Sequence, residues 1–96
     1  MRVRHTTHAR NKLDAQIDYL LGIGALQPAI DLDKSVNRFV VNALGLFARA
    51  GRYFADLDLW ETWIPRTKMI VWYRFTDDEL IVVDVWHTAQ DRFNQV

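Results

Sequence analysis

The sequence predicts an α+β fold of order β-α-α-β-β-β, in which a helical hairpin packs on one face of a mainly antiparallel sheet. Three observations point to it. Two stretches of the first half repeat apolar residues at helical spacing, and after Gly51 the repeat changes to extended, β-branched and aromatic runs separated by turn residues. Half of the 96 residues are apolar and none is cysteine, which suits one packed core without disulfides. The chain is therefore expected to be one domain over residues 1–96.

Val3 to His5 form a short first strand ahead of the helices. Thr6 and Thr7 carry the side-chain oxygens that cap a helix by accepting a backbone N–H, and Ala9, Leu13, Ile17 and Leu20 follow at steps of four and three. The first helix is expected over 7–21. Gly22 and Gly24, which tolerate positive φ, end it. Pro28 suits the first turn of a second helix because its missing N–H would have had no intrahelical partner. Leu32, Val36, Phe39/Val40, Ala43/Leu44 and Phe47 then give an apolar stripe, so that helix is expected over 28–48, stopped by Gly51. Strands are expected over 57–64, 68–75 and 80–87. Pro65-Arg66-Thr67 and Thr76-Asp77-Asp78-Glu79 supply the turns, making a meander.

Alternation along these strands assigns faces. Asp84 is costly to bury, so Ile81, Val83 and Val85 are expected to meet the helices and Leu80, Val82, Asp84 and Trp86 to face away. Met69, Val71, Tyr73 and Phe75 form the inner set of the middle strand, opposite Lys68, Ile70, Trp72 and Arg74. Asp58, Trp60, Thr62 and Ile64 form the outer set of the strand before it. Trp60, Trp72 and Trp86 would then share the face that the helices leave open. This holds only if both hairpin loops have odd effective lengths, since an even loop pairs Trp72 with the Val83 face.

Composition narrows the chemistry. Twelve Lys+Arg against twelve Asp+Glu give a formal charge of +0, which excludes a protein that holds nucleic acid by bulk charge alone. Absence of cysteine excludes zinc fingers and thiol catalysis and fits the cytoplasm. No run of about eighteen apolar residues is present, and Met1-Arg2-Val3-Arg4 does not open an apolar signal stretch, so neither export nor a membrane span is expected. His5 and His8 have no carboxylate beside them in sequence that would suit a metal. Asp14 and Asp18 are like charges on one helical face, and Gly22-x-Gly24 lacks the rest of a phosphate-binding fingerprint.

The order of elements and particular residues resemble the ParE/RelE superfamily of bacterial toxins from type II toxin–antitoxin modules. The match reads Ala9…Leu13…Ile17-Asp18-Tyr19-Leu20, Gly51-Arg52, Arg66…Ile70-Val71-Trp72-Tyr73-Arg74-Phe75, and Ile81 through Arg92. Most specific to the ParE branch are Tyr73-Arg74 before the acidic turn and a closing Val-x-His-x-x-x-x-Arg, met by Val85, His87 and Arg92. The resemblance implies a stress or plasmid-maintenance toxin without a cofactor or metal. A small ParD-like antitoxin would hold it inactive, mediate any contact with DNA, and join it in a higher-order complex.

ParE-like members poison DNA gyrase, whereas RelE-like members cut messenger RNA on the ribosome. Attack by a 2′-hydroxyl needs a base, an acid and a cation near the developing charge, and Glu61, Arg66, Arg74 and His87 are the candidates for a nuclease. Against that stand the zero net charge and the absence of any tyrosine beyond Tyr73. The favoured reading is a gyrase inhibitor that is not an enzyme, with Arg74, His87, Gln90, Asp91 and Arg92 on the target surface and Trp60, Trp72 and Trp86 under the antitoxin. A RelE-like ribosome-dependent endoribonuclease and a non-toxic antitoxin-binding relative are the alternatives.

Overall fold

A computed structural model describes residues 2–88. The first strand, β1 (Arg2–His5), leads into helices α1 (Thr7–Gly22) and α2 (Leu26–Arg38). A π-helical segment, Phe39–Leu44, and one 3₁₀ turn, Ala48–Ala50, carry the chain to β2 (Arg52–Phe54), β3 (Leu59–Trp63), β4 (Met69–Phe75) and β5 (Glu79–His87). The sheet order is β1-β5-β4-β3-β2, with β1 parallel to β5 and every other pair antiparallel. The α+β architecture and its element order follow the sequence reading, with β2 as an added strand.

Local chemistry sets the helix ends. Thr6 caps α1, its Oγ1 accepting the Ala9 N–H at 3.1 Å while its own N–H donates to the Val82 carbonyl at 2.9 Å, so one residue closes the helix and ties it to β5. Gly24, at φ 79, turns the chain beyond α1. The second helix starts at Leu26, two residues before the expected position, because Pro28 is tolerated anywhere in a first turn whose N–H groups lack intrahelical partners. Nor does it run regularly to 48. Beyond Arg38 the hydrogen bonds lengthen to the π pattern, with the Gly45 N–H reaching the Val40 carbonyl at 3.1 Å; β-branched Val40 and Val41 beside Asn42 weaken the regular helix there. Phe47, expected in the apolar stripe, is 67% exposed.

The main core lies between helices and sheet, where Leu13, Val36, Val40 and Leu44 meet Ile64, Val71, Tyr73, Leu80, Val82 and Val85. Leu59, Trp72 and Trp86 form a second buried cluster on the other face, with Ile70 and Val83 against it. Expected and observed faces differ, for a reason of parity. Both turns are even: Ile64 bonds Met69 across residues 65–68, and Phe75 pairs with Leu80 across residues 76–79. The first even loop sets Trp60 opposite Tyr73 and Ile64 in the core, so the set Trp60, Thr62 and Ile64 faces the helices instead of away from them.

The second even loop turns Leu80 and Val82 inward, reversing the expected assignment for the first half of β5. A β-bulge then places the extra residue Val83 between Val82, which pairs with Tyr73, and Asp84, which pairs with Trp72. Beyond it Val85 and His87 face the helices while Asp84 and Trp86 face away, as expected for that half.

Candidate functional site

The four nuclease candidates divide between the two faces. On the helix side, Arg66 occupies the β3–β4 turn at φ 67, and His87 ends β5 opposite Met69. Both line a cleft of about 390 Å³ whose other wall is built by Gln16, Leu20, Leu32 and Ser35 of the helical hairpin. Lys68 and Met69 complete its strand side. Glu61 pairs with Trp72 in the outward register and accepts the indole Nε1–H at 2.7 Å. Arg74, also outward, donates from Nε to the Asp58 carbonyl at 2.8 Å and from Nη2 to that of Leu57 at 3.3 Å, clamping the β2–β3 turn. An acid, a base and a cation must reach one phosphate together. These residues do not converge.

The tryptophan stripe is present with a changed member. Trp72 and Trp86 share the outer face, ring centroids 5.4 Å apart, and the third outward indole is Trp63 opposite Ile70. Trp60 lies on the other face between Tyr53 at 5.1 Å and Phe75 at 5.3 Å. Exposure also departs from the expected open aromatic surface: Trp72 and Trp86 are 8% and 6% accessible, against 63% for Trp63. Trp63 spends its indole N–H locally, donating to the Thr67 carbonyl at 2.7 Å.

Where β1 ends, α1 takes over the edge of β5. Lys12 reaches Asp84 at 2.9 Å and sets its ammonium 3.2 Å from the centre of the Trp86 ring, and His8 meets the same carboxylate at 3.2 Å. This resolves the sequence problem of an acid in an apolar strand, because the half-buried carboxylate is paired across the edge. Asp14, which shares a helical face with the like charge Asp18, is paired with Arg10 at 2.8 Å. Of the proposed target surface, Arg74 and His87 lie on opposite faces, while Gln90, Asp91 and Arg92 lie outside the described residues. Among the described residues no three His, Asp or Glu side chains gather as a metal site, and no helix is long and apolar enough to cross a membrane.

A feature not anticipated from sequence lies beside α2. A second cleft, of about 500 Å³, continues from the first and shares Ser35 and Arg66 with it, running past Arg38, Phe39 and Phe47. Its signal was present in the stripe containing Phe39 and Phe47, but helical spacing alone does not say whether a partner inside the chain covers it.

No protein-family model and no curated protein matches the sequence. Among solved structures, the chain is similar to one described as the chromosomal ParDE TA system from P. aeruginosa, with TM-score 0.77 and 19% sequence identity over 91% of this chain and 95% of that one. The likeness shows a shared fold.

Proposed function

We propose that this protein is a ParE-like toxin which acts by binding DNA gyrase and is neutralised by a ParD-like antitoxin. The observation that carries the reading is the fold shared with a ParDE structure over nearly the full length of both chains. The division of Glu61 and Arg74 from Arg66 and His87 favours a binding protein over a nuclease, since general acid–base cleavage needs them around one phosphate. The toxin works in the cytoplasm as a single domain over residues 1–96, and its higher-order complex with the antitoxin mediates any contact with DNA.

Purified protein should inhibit gyrase supercoiling, and the product of a neighbouring small reading frame with an amphipathic tail should relieve that inhibition. In bacteria, expression should give filamentation and a DNA-damage response. Ribosome-dependent cleavage of messages at defined codons, with gyrase unaffected, would overturn the proposal.

A further inference from the structure

The turn between α1 and α2 is apolar where a connection is ordinarily polar. From Tyr19 to Leu26 the chain holds no charge and no polar side chain beyond the tyrosine hydroxyl. Ile23 and Leu26 are each 61% exposed, and Leu21 and Ile30 on the adjoining helix ends are exposed as well. The turn is firmly built: the N–H groups of Ile23, Gly24 and Ala25 donate to the carbonyls of Tyr19, Leu21 and Leu20 at 3.2, 3.1 and 2.8 Å. A bonded backbone thus holds these side chains in solvent, and little ordering is needed on contact. Leu21 and Ile30 also border a cleft of about 260 Å³ with Ile17 and Ala29, lined by the two helices alone. It shares no residue with the clefts that the sheet borders.

Charge selects among the possible occupants. Residues 13–33 include Asp14, Asp18, Asp31 and Asp33 and no lysine, arginine or histidine. Arg10, from outside that stretch, reaches Asp14 at 2.8 Å and Asp33 at 3.8 Å. Asp18 and Asp31 are exposed and make no ion pair among the described residues, Asp31 accepting the Gln27 amide at 2.9 Å. Nucleic acid and an anionic bilayer are repelled by such a rim. A second copy laid turn to turn would set the same acids against each other. A protein surface with an apolar socket and a rim of lysine and arginine gains on both counts.

We propose that the distal end of the helical hairpin is a docking surface for a partner protein that offers an apolar socket rimmed by basic residues. Leu21, Ile23, Leu26 and Ile30 fill the socket, and Asp18 and Asp31 meet the rim. Such an apolar centre inside a polar border is the ordinary anatomy of a protein interface, and a rigid exposed apolar patch on a small domain marks one. The inference goes beyond the gyrase reading, because it adds a surface on the hairpin whatever the target is. Its test reads binding instead of toxicity, so the two can fail separately.

A random 16-residue peptide library displayed on phage is first depleted on the Leu21→Ser/Ile23→Ser/Leu26→Ser variant and then selected on the purified protein, which leaves peptides that need the apolar turn. All three positions are exposed, and thermal melting verifies folding, with Ile23→Ser alone replacing the triple change should that fail to fold. The expected survivors carry lysine or arginine around apolar residues. They lose at least ten-fold in affinity on Asp18→Lys/Asp31→Lys, and versions with glutamate in place of their basic residues recover binding to that variant. No survivor, survivors without basic residues, or affinities unchanged by the charge reversal would overturn the proposal. So would an occupant of another kind: phosphatidylglycerol vesicles that bind the wild type and not the serine variant, or a dimer in sedimentation that the serine variant dissolves.

Discussion

Tyr73 is wholly buried and still satisfies its hydroxyl, which donates to the Ala48 carbonyl at 2.6 Å. Burial pushes its pKa upward, so it stays a donor throughout the ordinary pH range. Gly51 lies beside that hydroxyl because a Cβ there would press on it and stand 2.7 Å from the Glu61 carbonyl; its extended backbone, at φ −77, needs no glycine for conformational reasons. Gly51→Ala should therefore cost about 1–3 kcal/mol through overpacking, and Tyr73→Phe a similar amount, about 1–3 kcal/mol, through the unpaired carbonyl. Urea unfolding of both variants and of the double mutant checks this, with non-additive losses expected from residues in contact. His5 supplies the pH dependence. Burial first, and then the charge of Arg10, lowers its pKa, and its Nε2 is buried without a partner among the described residues. The unfolded chain thus binds the proton more readily than the folded one. This contribution is present above the ordinary histidine value of about 6.5 and is lost as pH falls below it toward the folded value. Melting temperature should decline over that window, and His5→Phe should flatten the decline.

At the scale of elements, β5 decides which side chains meet the helices. Deleting Val83 removes the bulged residue and leaves the pairs Tyr73–Val82, Trp72–Asp84 and Val71–Val85 on their present faces, so the variant should fold with a loss of about 1–3 kcal/mol from the outer cluster. Deleting Val85 instead carries Trp86 to the helix side and His87 to the other, and it should abolish cooperative unfolding. Circular dichroism melts of the two single-residue deletions test the argument directly. The same strand shows what the sequence could reveal. α1 was legible because Thr6 and the stripe from Ala9 to Leu20 are local signals, and four of the five strands were legible, the short β1 ahead of the helices and β3, β4 and β5 from their composition. Face assignment was not local: it depended on two even turns and one bulge, which together reversed Trp60 and half of β5 while leaving Trp86 where alternation had put it. The three-residue β2 is too short to display alternation.

The whole molecule places its sheet between two unlike surfaces, and that arrangement separates the competing activities. Arg66 and His87 were legible as candidates from residue type and order, but only the folded sheet shows that Glu61 and Arg74 face the other way. Target recognition through the chain's end remains a proposal argued from sequence, because Arg92 follows the last strand in a polar stretch that supplies little to a core. Arg92→Ala should reduce toxicity while changing stability by no more than about 0.5 kcal/mol. His87→Gln should keep measurable toxicity, since a residue outside any chemistry contributes no rate, whereas a general acid or base contributes about 100- to 10,000-fold. Growth after induction, gyrase supercoiling and message integrity should be followed together for both variants, with thermal melting to establish that each is folded. If His87→Gln abolishes activity with the fold intact while Arg92→Ala leaves it untouched, the cleft of Arg66 and His87 holds the chemistry and the protein is a nuclease that works without Glu61 and Arg74.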